Sequence, residues 1–97
     1  MSKKKENKII KSAALLKAIG HPIRVQIIRA LNDYHAMTVT DLSEELSIDQ
    51  PIMSLHLGIL RKHNVIKVKK EGKNSVYSIS HISTKQIINI AYYTTKV

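Results

Sequence analysis

The chain has 97 residues and no long low-complexity stretch, so it reads as one domain, near the lower end of the size at which a core alone supports folding. It contains no cysteine, which excludes a disulfide framework, a thiolate metal site and a thiol redox switch. A formal charge of +9, from 16 Lys and Arg against 7 Asp and Glu, favours a polyanionic partner or an anionic membrane surface, and no apolar run approaches membrane-spanning length.

Residues 1–7 are a lysine-rich arm, expected to be flexible, ahead of a single domain over residues 8–97. Lys11 and Lys17 interrupt the apolar stretch that follows, and no small-residue cleavage pattern ends it, so a signal peptide is not expected and the protein reads as soluble and cytoplasmic. Between residues 6 and 19, Ile9, Ile10, Ala13, Leu15, Leu16 and Ile19 occupy more than one stripe of a helix. Such a helix needs two surfaces to bury against, its own domain and a second subunit. Gly20 ends it, and Pro22 sits just inside the next helix, residues 22–32. Ile23, Ile27, Ala30 and Leu31 form the core face there, with Arg24 and Arg29 mostly outside. Residues 37–39 are a short extended piece.

A short helix over residues 40–46, capped by Thr40, is separated by only Ser47 and Ile48 from a second helix, residues 49–61, capped by the carboxylate of Asp49. Met53, Leu57 and Leu60 fall at i, i+4 and i+7 and make a narrow apolar stripe, while Gln50, Ser54, Gly58 and Arg61 lie along the opposite side. Two short helices across so tight a turn are helix-turn-helix geometry, in which the second helix offers its N-terminal side chains to the major groove.

The period then changes. Residues 65–70 and 75–80 are β-rich runs around Glu71-Gly72-Lys73-Asn74, a β-hairpin with Lys67 and Lys69 on one face and Lys70 and Lys73 near the tip. Glu71 is the only acid among them. A final helix over residues 83–95 carries Ile87, Ile88, Ile90, Ala91, Tyr92 and Tyr93, again too apolar for one buried stripe. The two terminal helices therefore read as one shared interface, with Ile9, Leu16, Ile87, Ile90 and Ala91 in it. The fold expected is mainly α with a small β-hairpin, a winged helix-turn-helix.

Three motifs resemble the ArsR family of small bacterial repressors. They are Leu16-Lys17-Ala18-Ile19-Gly20-His21-Pro22-Ile23-Arg24 with Ile27-Ile28, Asp49-Gln50-Pro51-Ile52-Met53-Ser54-Leu55-His56-Leu57-Gly58-Ile59-Leu60, and Gly72-Lys73-Asn74-Ser75-Val76-Tyr77-Ser78-Ile79. The resemblance implies a homodimeric repressor built on its first and last helices, with two reading helices in successive major grooves of an inverted-repeat operator and two wings on flanking backbone or minor groove. It places Gln50, Ser54 and His56 at or beside DNA. Leu55 and Gly58 depart from the family, which more often carries polar side chains there.

The DNA-binding set expected is Gln50, Ser54, Leu55, His56 and Arg61 on the reading helix and Lys67, Lys69, Lys70 and Lys73 on the wing. His56 lies between the buried and reading faces, so packing and DNA contact are both open for it. Leu55 and Ile59, at i and i+4, suit local packing, although an exposed Leu55 would meet a thymine methyl. His21, His35, His63 and His81 are scattered without metal-ligand spacing, and no cofactor is expected. Tyr92 and Tyr93 read as dimer or core aromatics.

An enzyme is not expected. Ser54 and His56 are two apart on a helix and face different directions, no Gly-rich phosphate loop exists, and Asp41, Glu44 and Glu45 suit the dipole of their helix. The rival reading is a winged-helix protein-interaction module without specific DNA binding, which would carry an apolar patch on the reading helix and a near-neutral wing. Metal sensing in the resembled family relies on cysteines, or on His and acidic ligands along the last helix. The cysteines are missing, and residues 83–97 hold no His, Asp or Glu.

Overall fold

The computed structural model describes residues 1–96; Val97, the last residue of the expected domain, lies outside them. Its elements are α1 (Lys3–Ile19), α2 (Pro22–Tyr34), β1 (Met37–Thr38), α3 (Val39–Leu46), α4 (Gln50–Lys62), β2 (Ile66–Glu71), β3 (Asn74–Ile79) and α5 (Ile82–Thr94).

The expected basic arm is largely helix. Ser2 caps α1, its hydroxyl accepting from the Lys5 N–H at 3.3 Å, and the lysines after it are good helix formers. Residues 1–13 are all exposed, and α1 meets the domain only from Ala14 and Leu15 to the buried Ala18 and Ile19. Its first three turns thus overhang. Gly20 closes the helix where a Cβ would stand only 3.0 Å from the Leu16 carbonyl oxygen.

His21 caps α2, its Nδ1 accepting from the Ile23 N–H at 3.1 Å. The helix runs two residues further than expected, to Tyr34, and stops on His35 at φ +67°. Thr38, not Thr40, caps α3: its hydroxyl accepts from the Asp41 N–H while the Asp41 carboxylate accepts from the Thr38 N–H, both at 3.1 Å. That reciprocal pair satisfies two free donors, where Thr40 alone would satisfy one. Asp49 takes the N-cap backbone conformation of α4, but its carboxylate makes no capping bond. A cap side chain serves the N–H of the second or third helical residue, and the second here is Pro51, which has none.

The hairpin pairs Ile66 with Ile79, Val68 with Tyr77 and Glu71 with Asn74, and β1 adds to its other side through Met37 opposite Tyr77 and Thr38 opposite Val76. The sheet is three-stranded and antiparallel, in the order β1-β3-β2. Gly72 adopts φ +63° at the first position of the two-residue turn, where tight hairpins call for glycine.

The core is Ile27, Ile28 and Leu31 of α2, Leu42 of α3, Met53, Leu57 and Leu60 of α4, Val65 and Ile66 at the start of the wing, and Ile88 of α5. The stripe expected on the reading helix is therefore the buried one. At roughly 2 kcal/mol for a fully buried aliphatic side chain, these three α4 residues contribute on the order of 6 kcal/mol to holding the helix in place.

Candidate nucleic-acid interface

The outward side of α4 follows from that burial. With Met53, Leu57 and Leu60 inward, the 100° step per residue turns Pro51, Leu55, Gly58 and Lys62 directly outward, flanked by Ser54 and Arg61 on one side and Ile52 on the other, while Gln50 lies nearer the buried stripe and is exposed because it begins the helix. Gln50, Ser54, Leu55 and Arg61 are all exposed, as the sequence suggests. Leu55 is 62% exposed and Ile52 44%, so the local-packing reading of Leu55 does not hold. The Gln50 amide Nε2 donates to the Thr40 hydroxyl at 3.2 Å, which steadies the side chain at the start of the helix. Thr40, assigned to a cap from the sequence, thus stands beside the start of α4.

His56 is different. It is only 8% exposed, with its ring 4.6 Å from that of His21. Arg24 donates from Nη1 to His56 Nδ1 at 3.1 Å and from Nε to the Ala18 carbonyl oxygen. Since a guanidinium only donates, Nδ1 is the acceptor and the proton of the neutral ring sits on Nε2. Burial, then the neighbouring His21 and Arg24, push the His56 pKa below its ordinary value near 6.5. Of the two readings open for His56 the burial favours packing, and Arg24, expected mostly outside, is instead half-buried and ties the end of α1 to α4. Arg29 is likewise not free, its guanidinium lying 3.4 Å from the centre of the Tyr92 ring.

On the wing, Lys67, Lys69, Lys70 and Lys73 are all exposed. Lys67 and Lys69 share one face of β2, while Ile66 and the half-buried Val68 alternate toward the core. Of the interface residues expected on the terminal helices, Ile9, Leu16, Ile90 and Ala91 are exposed, whereas Ile87 is partly buried and packs on its own core. Among the described residues, no group of three or more His, Asp or Glu is placed to hold a metal ion, and no helix is long and apolar enough to cross a membrane.

A helix-turn-helix carried on a three-helix core, with a two-stranded wing beside the second helix, defines a winged helix-turn-helix DNA-binding regulator. Residues 21–68 match the bacterial regulatory proteins of the arsR family. An HTH-type transcriptional regulator of Methanocaldococcus jannaschii is 38% identical over 80 residues, 82% of this chain and 90% of that one. The crystal structure of the transcriptional repressor PagR of Bacillus anthracis superposes with a TM-score of 0.81 at 30% identity, covering 89% of this chain and 98% of that one. The fold also matches a homodimeric winged helix-turn-helix DNA-binding domain from Mycobacterium bovis, with a TM-score of 0.87 at 18% identity over 97% of this chain and 86% of that one. This chain belongs to the ArsR family of winged helix-turn-helix transcriptional regulators, and is not an enzyme.

Proposed function

We propose that the protein is a repressor that binds an inverted-repeat operator as a homodimer, with α4 of each subunit in a major groove and each wing along flanking backbone. The observation that carries this reading is the joint placement of an exposed, uncommitted face on α4 and four exposed lysines on the adjoining hairpin, with Glu71 the only acid beside them. That charge suits phosphate, and the helix face suits base edges. The rival protein-contact reading has Ile52 and Leu55 in its favour, but it calls for a near-neutral wing.

The dimer is supported by the overhang of α1 and by Ile9 at 55%, Leu16 and Ile90 exposed on the two terminal helices, apolar surface that this small domain cannot cover alone. PagR is a repressor and the Mycobacterium bovis domain is homodimeric, which favours the same assignments for this chain. Sedimentation at micromolar concentration tests the assembly, with a homodimer expected and an Ile90→Glu variant expected to shift toward monomer. Footprinting on a duplex selected from a random pool by the protein tests the repeat, two protected half-sites one helical turn or a multiple apart being expected. A monomer protecting a single site would overturn the proposal.

A further inference from the structure

The reading face of α4 is unusual in what it lacks. Its charged side chains, Arg61 and Lys62, stand in the last turn, about 9 Å along the axis from Leu55. Guanine is read in the major groove chiefly by Arg or Lys donating to O6 and N7, and the first two turns of α4 offer neither. They present Gln50, Pro51, Ile52, Ser54 and Leu55, and Gly58 follows at the start of the third turn. A Cβ added at Gly58 would meet nothing within 4 Å, so the outward centre of the helix is open and the backbone itself can approach a base pair closely.

Thymine's C5-methyl is the one apolar group a base pair shows in the major groove. Leu55 and the partly covered Ile52, three residues apart on the helix, expose apolar side chains to solvent, and the cations at Arg61, Lys62 and the wing lysines complement a phosphate backbone. That charge commits the pair to DNA over an apolar protein. Gln50 fits beside it: one Nε2 hydrogen is held by Thr40, and the second, with Oε1, is the donor and acceptor pair that adenine N7 and N6–H match.

We infer that Leu55, with Ile52 beside it, is a specificity-determining residue that reads thymine methyl groups. The inference rests on the operator-binding function proposed above. Its test starts from a random duplex pool passed over the full-length protein, followed by resynthesis of the enriched duplex with deoxyuridine replacing thymine, one symmetry-related pair at a time. Pairing is unchanged and only the methyl is lost.

At one or two thymine positions per half-site, wild type should lose about four-fold in affinity per methyl removed, hence roughly fifteen-fold when both halves are changed. Leu55→Ala, an exposed substitution expected to leave the circular dichroism melt unaltered, should bind the thymine and uridine versions of one such position equally. Enriched duplexes whose thymines all tolerate uridine, or a Leu55→Ala protein that keeps the full uridine penalty everywhere, would overturn this inference and leave operator binding standing. Failure to enrich any sequence would overturn both.

Discussion

Replacing Lys69 with Ala tests whether the wing acts on phosphates. Lys69 is exposed on the outer face of β2, opposite Val76 of β3, and shares that face with Lys67. If each wing lysine neutralises one phosphate, the two wings of a dimer take up eight, and log K should fall against log salt with a slope of about −7 from the wings alone. Each substitution occurs twice in a homodimer, so Lys69→Ala should flatten that slope by about 1.8. Between 50 and 200 mM salt the wild type then loses roughly four orders of magnitude in affinity and the variant about three. The ratio of variant to wild-type Kd should therefore shrink about ten-fold over that interval, for operator and random duplex alike. Fluorescence anisotropy across a salt series measures it, with Lys69→Arg as the variant that keeps the charge and the slope. A ratio that stays constant with salt, or a variant whose base preference changes, would refute a backbone role for Lys69.

Gln50→Ala should behave in the opposite way, costing about 1–3 kcal/mol at one base pair of each half-site and little elsewhere, while Thr40→Ala, which removes only the group steadying Gln50, should weaken the same preference by less; affinities for single-position operator variants decide it. Zinc, cadmium and arsenite should leave the protein–DNA band in a gel shift unchanged at concentrations that regulate metal sensors, since cysteines and last-helix ligands are missing from the sequence; stoichiometric binding with release would contradict this. His56→Ala should lower stability by about 1–3 kcal/mol, because it leaves Arg24 without its buried acceptor, and should not alter base preference. The His56 pKa is lowered by folding, so the unfolded chain binds a proton at a higher pH than the folded one. Stability should be full above about pH 6.5 and fall as the pH drops below it, and a His56→Gln variant should show a shallower decline in thermal melts.

Much of this architecture is legible in the residues because period and burial agree. Met53, Leu57 and Leu60 are buried where their spacing places them, and Lys67 and Lys69 project from β2 where alternation places them. The errors have local causes. Thr38 and Asp41 carry the threonine-x-x-aspartate spacing of a reciprocal cap, a signal present in the sequence, yet Thr40 lies nearer the apolar run and draws the assignment. Asp49 looks like a cap until Pro51 is counted as a missing donor. Arg24 and His56 are another matter. They are 32 residues apart, and nothing in either neighbourhood says that one guanidinium will reach both the Ala18 carbonyl and a buried imidazole. Long-range polar pairs of this kind have no period, so hydrophobic patterning does not find them. The extended piece expected over residues 37–39 is β1, but its pairing with the hairpin was not legible, since two residues are too few to show alternation.

Thr38 has a consequence beyond its own helix. The same residue pairs with Val76 in the wing sheet and begins the hydrogen-bonded turn that starts α3, with the reading helix only three residues beyond the end of α3. Tilting the hairpin would drag on that threonine and loosen the cap, so in the proposed operator complex the wing and α4 would act as the jaws of a caliper set to a fixed opening. A duplex whose groove geometry does not suit the opening must itself bend or twist to fit. Base steps that touch no side chain would then contribute to discrimination through their stiffness alone.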